Sequence, residues 1–408
     1  VGLYLKLAIR NIFRNKRRTF IAGFAIGIGL ASLIFTDALI KGMEQNLIQS
    51  ATASFLGEGE IHAKGFRESY DVEKTIVDAP KVVDELSHDP IVAHFTQRAM
   101  SFAMLNSPAN LSAVTMVGVD PSTEKYLSQI DDALIKGDYF TGDEQRDLII
   151  GKKLAELLEV EIGDRVVMTV AQAGSGDLSQ EMFRVSGIFL FNSDEMDRGM
   201  AFIRLKKAQQ MLAIDGRIHE IAINFTDSKY GQDENLPFWK KYSQDGNEAV
   251  GWTVLLPQLK NVLAMSQFST FIVGIILFAV VALGIINTLF MSLHERMFEF
   301  GVLRAVGTRP LTMARLIVFE AGALAVLSIV IGTVLGYILT YIFTKVGIDY
   351  TGIEFVGVTF RNLLYPIMET RQYVFFPLTV FLFTVVIAIY PALHAARLVP
   401  AEAMRRSF

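Results

Sequence analysis

The 408-residue sequence has no cysteine. That excludes disulfides, thiolate metal sites and a cysteine nucleophile at once, and it suits an oxidising compartment. Histidine is scarce: His62, His88, His94, His219, His294 and His394 are scattered without metal-ligand spacing, and each reads as a solvated or packed side chain. No G-x-x-x-x-G-K-[ST] phosphate loop occurs, so these residues contain no Walker A site for nucleotide. No G-x-S-x-G nucleophile elbow occurs either. The glycine-rich AGSGD, residues 173–177, lacks a following Lys-Ser/Thr and reads as a loop. Catalytic residues, bound cofactors and metal sites are therefore not expected.

What the sequence has is apolar length. Hydrophobic residues make up 51% and the mean hydropathy is +0.38, high for a soluble protein and low for a pure membrane bundle. Windows 20–40, 268–293, 316–343 and 373–393 are each long enough to cross a hydrocarbon layer, which takes roughly 20 helical residues. The second and fourth contain no charge; the first holds Asp37 near its end and the third Glu320 near its start. The first window is too long for a cleaved leader and reads as a signal anchor.

Charge is segregated. Residues 1–18 carry six basic side chains and no acidic one, the link 294–315 and the tail 394–408 are net basic, and the acid excess lies in 41–267. By the positive-inside tendency, both termini and the link are cytoplasmic and 41–267 is outside. This is a membrane pattern, not a nucleic-acid one. The expected organisation is an amphipathic N-terminal helix (1–19), span one (20–40), an extracytoplasmic α+β domain on helical stalks (41–267), span two (268–293), a cytoplasmic loop (294–315), span three (316–343), a short outer loop (344–372), span four (373–393) and a cytoplasmic tail (394–408). The N-terminal segment puts Leu5, Ala8, Ile9 and Ile12 on one face and Lys6, Arg10, Arg14 and Arg17 on another, which suits a helix along the lipid surface or a disordered basic anchor.

Alternation and Val/Ile/Phe content predict strands at 60–63, 113–119, 147–150, 165–170, 183–190, 201–204 and 220–225. Helices are expected at 81–86, 206–212 and within 151–162, with turn-rich loops at 171–180 and 191–199. The segments flanking spans one and two keep helical periodicity, so the domain stands on stalks. Gly23 with Gly27, and Gly332 with Gly336, repeat a small-xxx-small spacing that allows close helix packing, within one chain or between two.

The link HERMFEFGVLRAVGTRP, residues 294–310, is the most informative stretch. Phe298, Val302, Leu303 and Val306 recur at helical spacing, Glu295, Arg296, Glu299 and Arg304 decorate other faces, Gly307 ends the helix and Pro310 opens span three. Such a helix either lies on lipid or fits a groove of a soluble partner; mixed charge signs favour the groove. Glu320 is costly inside an apolar span unless paired. It is either a proton or substrate contact, or a charge satisfied by a neighbouring helix or an arginine such as Arg315.

Four stretches carry a resemblance: LAIRNIFRNKRRTFIAGFAIGIG, LIIGKKLAELLEVEIGDRVVMTV, INTLFMSLHERMFEFGVLRAVGTRP with LIVFEAGAL, and YPALHAARLVPAEAMR. In this order they resemble the ABC-transporter permease family that includes MacB, LolC/LolE and FtsX, in layout most like LolC/LolE. The resemblance implies four spans, a large outer domain after span one, a dimer with a second permease protomer, and a coupling helix that docks on a soluble ABC ATPase dimer. It places that coupling on Glu295, Arg296, Phe298, Glu299, Gly301, Arg304 and Gly307, assigns Glu320 to the shared scaffold, and leaves ATP and Mg²⁺ to the ATPase. It implies mechanotransmission at a bacterial inner membrane, with the domain periplasmic. Three functions follow as expectations. One is extraction of lipoproteins from the membrane for a periplasmic carrier, with Gly23, Phe24, Gly27 and Ile28 lining a substrate cavity. The others are MacB-like export of periplasmic peptides or amphiphiles and FtsX-like control of a cell-wall hydrolase.

Overall fold

The computed structural model describes residues 6–8, 10, 11, 14, 16–140, 145–355, 358–360 and 363–397. Leu5, Ile9 and Ile12 of the expected amphipathic face, and 398–408 of the tail, lie outside the described residues. Two compact units form: Val1–Gln45 with Ala264–Asp349 and Leu363–Phe408, and Asn46–Leu263 with Tyr350–Asn362.

The first unit is built on four helices long and apolar enough to cross a membrane: α1 (Lys16–Ala51), α2 (Pro257–Glu295), α4 (Pro310–Val346) and α5 (Thr370–Ala396), with a short α3 (Met297–Ala305) between the second and third. The four apolar windows fall inside these helices, which run on beyond them. Pro310 sits in the first turn of α4, where its missing N–H costs nothing. Ile26, Leu30 and Ile34 of α1 meet Val281 and Ile285 of α2, Leu324 of α4 and Ala388 of α5 in one buried cluster.

The paired glycines act within the chain. A Cβ on Gly332 would lie 2.6 Å from the Gly27 carbonyl oxygen and 2.9 Å from Leu30 Cβ, so α1 and α4 touch backbone to backbone. Gly332→Val is expected to cost about 1–3 kcal/mol as overpacking. Thermal unfolding in nanodiscs checks this against Gly322→Ala, whose Cβ would meet nothing within 4 Å.

The second unit holds a ten-stranded sheet. Its strands are β1 (Gly59–Ala63), β2 (Val92–Asn106), β3 (Leu111–Val119), β4 (Leu134–Gly137), β5 (Asp147–Gly151), β6 (Arg165–Ala171), β7 (Leu178–Phe189), β8 (Met200–Arg204), β9 (Glu220–Phe225) and β10 (Asn247–Gly251). The order is β10-β1-β9-β2-β3-β8-β5-β7-β4, and β6 pairs both β2 and β7. The pairings β2-β3-β8-β5-β7-β6 therefore return to β2, removing edges that would otherwise be open to pairing. Most pairs are antiparallel; β3–β8 and β5–β7 are parallel. Inside lie Leu105, Met116, Ile150, Val166, Phe183 and Ile203, packed with helices Lys152–Leu158 and Leu205–Leu212.

Three strands, β2, β4 and β10, are not in the sequence reading. The β6–β7 hairpin extends into the expected 171–180 loop, leaving 172–177 as its turn. The expected 191–199 loop contains a helix at Asp194–Gly199. Both flanks are helical: α1 reaches Ala51 and passes into a π-helical turn, Thr52–Leu56, while α2 begins at Pro257.

Candidate functional site

The chain turns at Arg296 between α2 and α3, where its backbone leaves helical geometry (φ −110°, ψ 16°). The Arg296 side chain points inward, 12% exposed, and its Nη1 donates to Glu320 Oε2 at 2.9 Å. Its Nε donates to Glu299 Oε2 at 3.1 Å. Arg14 Nη2 donates to Glu299 Oε1 at 2.7 Å, and Ser292 Oγ donates to Glu320 Oε1 at 3.4 Å. One chain of ion pairs, Arg14–Glu299–Arg296–Glu320, thus joins the N-terminal segment, the loop helix and span three. The bond from Arg14, with Arg296 behind it, holds the Glu299 carboxyl below the usual carboxylate range. The expected partner Arg315 is replaced by Arg296. Five residues along one helix put Arg315 and Glu320 on different faces, whereas i,i+3 or i,i+4 spacing would bring them together.

The hydrophobic anchor of α3 is Phe300, 2% exposed, packed with Leu293, Met313, Ile317 and Ala395 under the Arg296 guanidinium. The periodic residues do the opposite: Phe298, Val302, Leu303 and Val306 are 48, 40, 41 and 82% exposed. They form an apolar face that the other described residues leave exposed. Gly301 is buried beside Phe300, Glu295 is exposed at the end of α2, and Arg304 Nη1 donates to Thr308 O at 3.2 Å. Gly307 ends the element at φ +96°, a conformation glycine adopts without steric cost. Six of the seven coupling residues thus gather on or beside α3, with Glu295 just before it.

The expected substrate-cavity residues divide. Gly23 faces Leu327 and Gly27 faces Ser328 and Gly332, so both are closed against α4 and line no cavity there. Close packing, for which small residues are suited, has consumed them. Phe24 and Ile28 remain exposed. Asp37, at the other end of α1, accepts from Gln372 Nε2 at 2.9 Å and pairs with Lys41 at 3.5 Å.

A second charged cluster lies inside the second unit, which holds the ten-stranded sheet and is the outer unit of the expected topology. Arg98 on β2 is fully buried; its Nε and Nη2 donate to Glu124 at 3.1 and 2.6 Å, and its Nη1 donates to Glu220 at 2.8 Å. Arg67 Nε donates to the fully buried Glu60 at 2.8 Å and stands 3.8 Å from Glu220. His219 Nδ1 accepts the Met100 N–H at 3.0 Å, and burial lowers its pKa. Three carboxyls thus meet two guanidiniums. Burial, with Glu220 adding to it against the pull of Arg67, raises the Glu60 pKa from 4.5 to about 7.

Folded Glu60 therefore keeps a proton that the unfolded chain has lost. Its contribution to stability is complete below pH 4.5 and is lost as pH rises to about 7. Glu60→Gln is expected to flatten that decline, read as thermal midpoint against pH. An unchanged profile contradicts the assignment.

Taken together, the architecture is that of a polytopic membrane protein with an α/β domain inserted after its first span and an ion-paired helix between its second and third. Comparison with known proteins sharpens this. A model described as MacB-like periplasmic core domain matches residues 19–230, just over half the chain, and one described as FtsX-like permease C-terminal matches 271–400. The chain belongs to the family of ABC transporter permeases that combine these two regions. It is similar to the lipoprotein-releasing system transmembrane protein LolC of Xylella fastidiosa (23% identical over 99% of this chain and 98% of that protein). It is also similar to LolE of Haemophilus influenzae (21% over 96% and 95%). Among solved structures, the periplasmic region of MacB from Actinobacillus actinomycetemcomitans covers 50% of this chain and 92% of its own at 13% identity, with a TM-score of 0.34.

Proposed function

We propose that this chain is the permease subunit of an ATP-driven transporter that extracts lipoproteins from the inner membrane and hands them to a periplasmic carrier. It works with a second permease protomer and a separate ABC ATPase dimer that binds ATP and Mg²⁺. Both termini and the loop 294–315 face the cytoplasm, and the outer unit is periplasmic. The observation that carries the reading is α3. Buried Phe300 and Arg296 pin it to spans two and three, while its uncovered apolar face, edged by Glu295, Glu299 and Arg304, is left for a protein groove. An amphipathic helix anchored on one side can lay its other face in a hydrophobic groove of a partner.

Similarity to LolC and LolE over nearly the whole chain supports lipoprotein as cargo. The MacB-like match to the outer region supports a second reading, export of periplasmic peptides or amphiphiles. Only 11% of the apolar window of α2 is buried within the chain, leaving a broad face for lipid and for the second protomer. Val302→Glu with Leu303→Glu is expected to abolish ATPase co-purification while membrane insertion stays normal. ATPase recruitment at wild-type level would overturn the docking assignment. Captured lipoprotein supports the first cargo, and captured outer-membrane channel and adaptor the second.

A further inference from the structure

Inside the outer unit, beside the π-helical turn Thr52–Leu56, lies a cavity of about 450 Å³ that the site described above does not use. Its size falls in the range of small-ligand pockets. The apolar wall is formed by Phe55, Met100, Phe191, Met196, Met200 and Leu256. Three methionines give that wall flexible, polarizable side chains that adapt to an irregular apolar guest. The polar side is comparable in extent: Ser50, Ser54, Arg67, Thr115, Ser193 and Gln258, with Glu195 at an exposed position. Arg67 already donates to Glu60 and stands 3.8 Å from Glu220, so its guanidinium is engaged within the protein.

The cavity has a direction. Met100, Phe102 and Met104 alternate along one face of β2 and go from buried to 60% and 47% exposed. Phe102 stands in register with Thr115, which lines the cavity, and its ring lies 5.2 Å from that of Tyr70, another lining residue. An apolar strip therefore leaves the cavity along the sheet surface. A compact ligand has no use for such an exit, and a peptide drawn along the strip would bring backbone N–H and C=O groups that Phe102 and Met104 leave unpaired.

We propose that this cavity binds one aliphatic chain of an amphiphile, with the β2 strip as its way in and out. The proposal rests on the transporter reading for its meaning but not for its test. Full-length permease in nanodiscs, without ATPase, is exposed to light with diazirine-bearing palmitic acid. In a second arm, the nanodisc phospholipid itself carries the diazirine chain. Crosslinks on peptides containing Met100, Met196, Met200 or Leu256 are expected in at least one arm, and the arms separate a free chain from a membrane lipid. Met196→Trp and, separately, Ser54→Phe enlarge two lining side chains to fill the space. Each should reduce cavity labelling about tenfold, the low end for losing an apolar contact in a pocket, while labelling of the spans persists. Labels confined to the spans, labelling indifferent to both variants, or stronger cavity labelling by a diazirine pentapeptide would overturn it. Cavity labelling in a permease that recruits no ATPase would sink the transporter reading and leave this site standing. ATPase recruitment without cavity labelling would do the reverse.

Discussion

Arg296→Met lowers the stability of the membrane unit by about 3–5 kcal/mol, the cost of breaking a buried ion pair from one side. Arg296 and Glu320 are 12% and 13% exposed and meet at 2.9 Å. Removing the guanidinium leaves a carboxylate in an apolar span with the Ser292 hydroxyl, at 3.4 Å, as its remaining side-chain bond among the described residues. Glu320→Met removes one partner of the arginine but leaves it Glu299, at 3.1 Å, so a smaller loss is expected from this side. The double variant removes both charges and is expected to recover most of the loss, because a buried pair is worth little against a well-packed apolar replacement. Thermal unfolding of the four proteins in nanodiscs gives the coupling energy. Single variants that each cost under about 1 kcal/mol would place the pair in water, as for surface ion pairs. ATPase stimulation in the double variant is a separate readout: stability restored with coupling lost would show that the charges transmit as well as hold.

Arg98→Met is expected to do comparable damage in the outer unit, again about 3–5 kcal/mol. For a unit of this size, that is a fall in its thermal midpoint of about 6–20 °C. The side chain is wholly buried and makes four hydrogen bonds: two to Glu124, one to Glu220, and one from Nη2 to the Phe55 carbonyl at 2.6 Å. Its Cζ also lies 3.8 Å over the Phe55 ring. Methionine fills the volume but abandons two carboxyls and a carbonyl. Lysine is expected to rescue little, since one ammonium cannot reproduce the planar fork that grips Glu124. Differential scanning of the full chain, with limited proteolysis within 46–263, checks both variants. A midpoint within about 2 °C of wild type for Arg98→Met would mean that the cluster relaxes into solvent.

The spans were legible because lipid imposes one crude requirement, apolar length, that composition alone reveals. The loop helix was legible because its charge and apolar periods differ from those of the spans on either side. Strand β2 was not: it buries Thr96, Arg98 and Ser101 among its apolar residues, so the expected alternation is broken where the charged cluster forms. Its bulge between Val92 and His94 shifts the register as well. Arg67, Arg98, Glu60, Glu124 and Glu220 come from five separate segments, and no local spacing announces such a meeting. The outward-facing apolar stripe of α3 could be read as a period but not as a direction. Only the packing of Phe300 shows which side of the helix is left uncovered.

The lengths of α1 and α2 have a mechanical consequence. At 36 and 39 residues and 1.5 Å per residue, they measure about 54 and 58 Å, against roughly 30 Å of hydrocarbon. Each is a single hydrogen-bonded beam overshooting the bilayer by some 25 Å, with no internal proline to act as a joint. A helix without internal proline keeps its backbone ladder unbroken and has no proline-induced joint. In α5, Pro377 and Pro391 interrupt the ladder, so bending can concentrate there while α1 and α2 stay stiff.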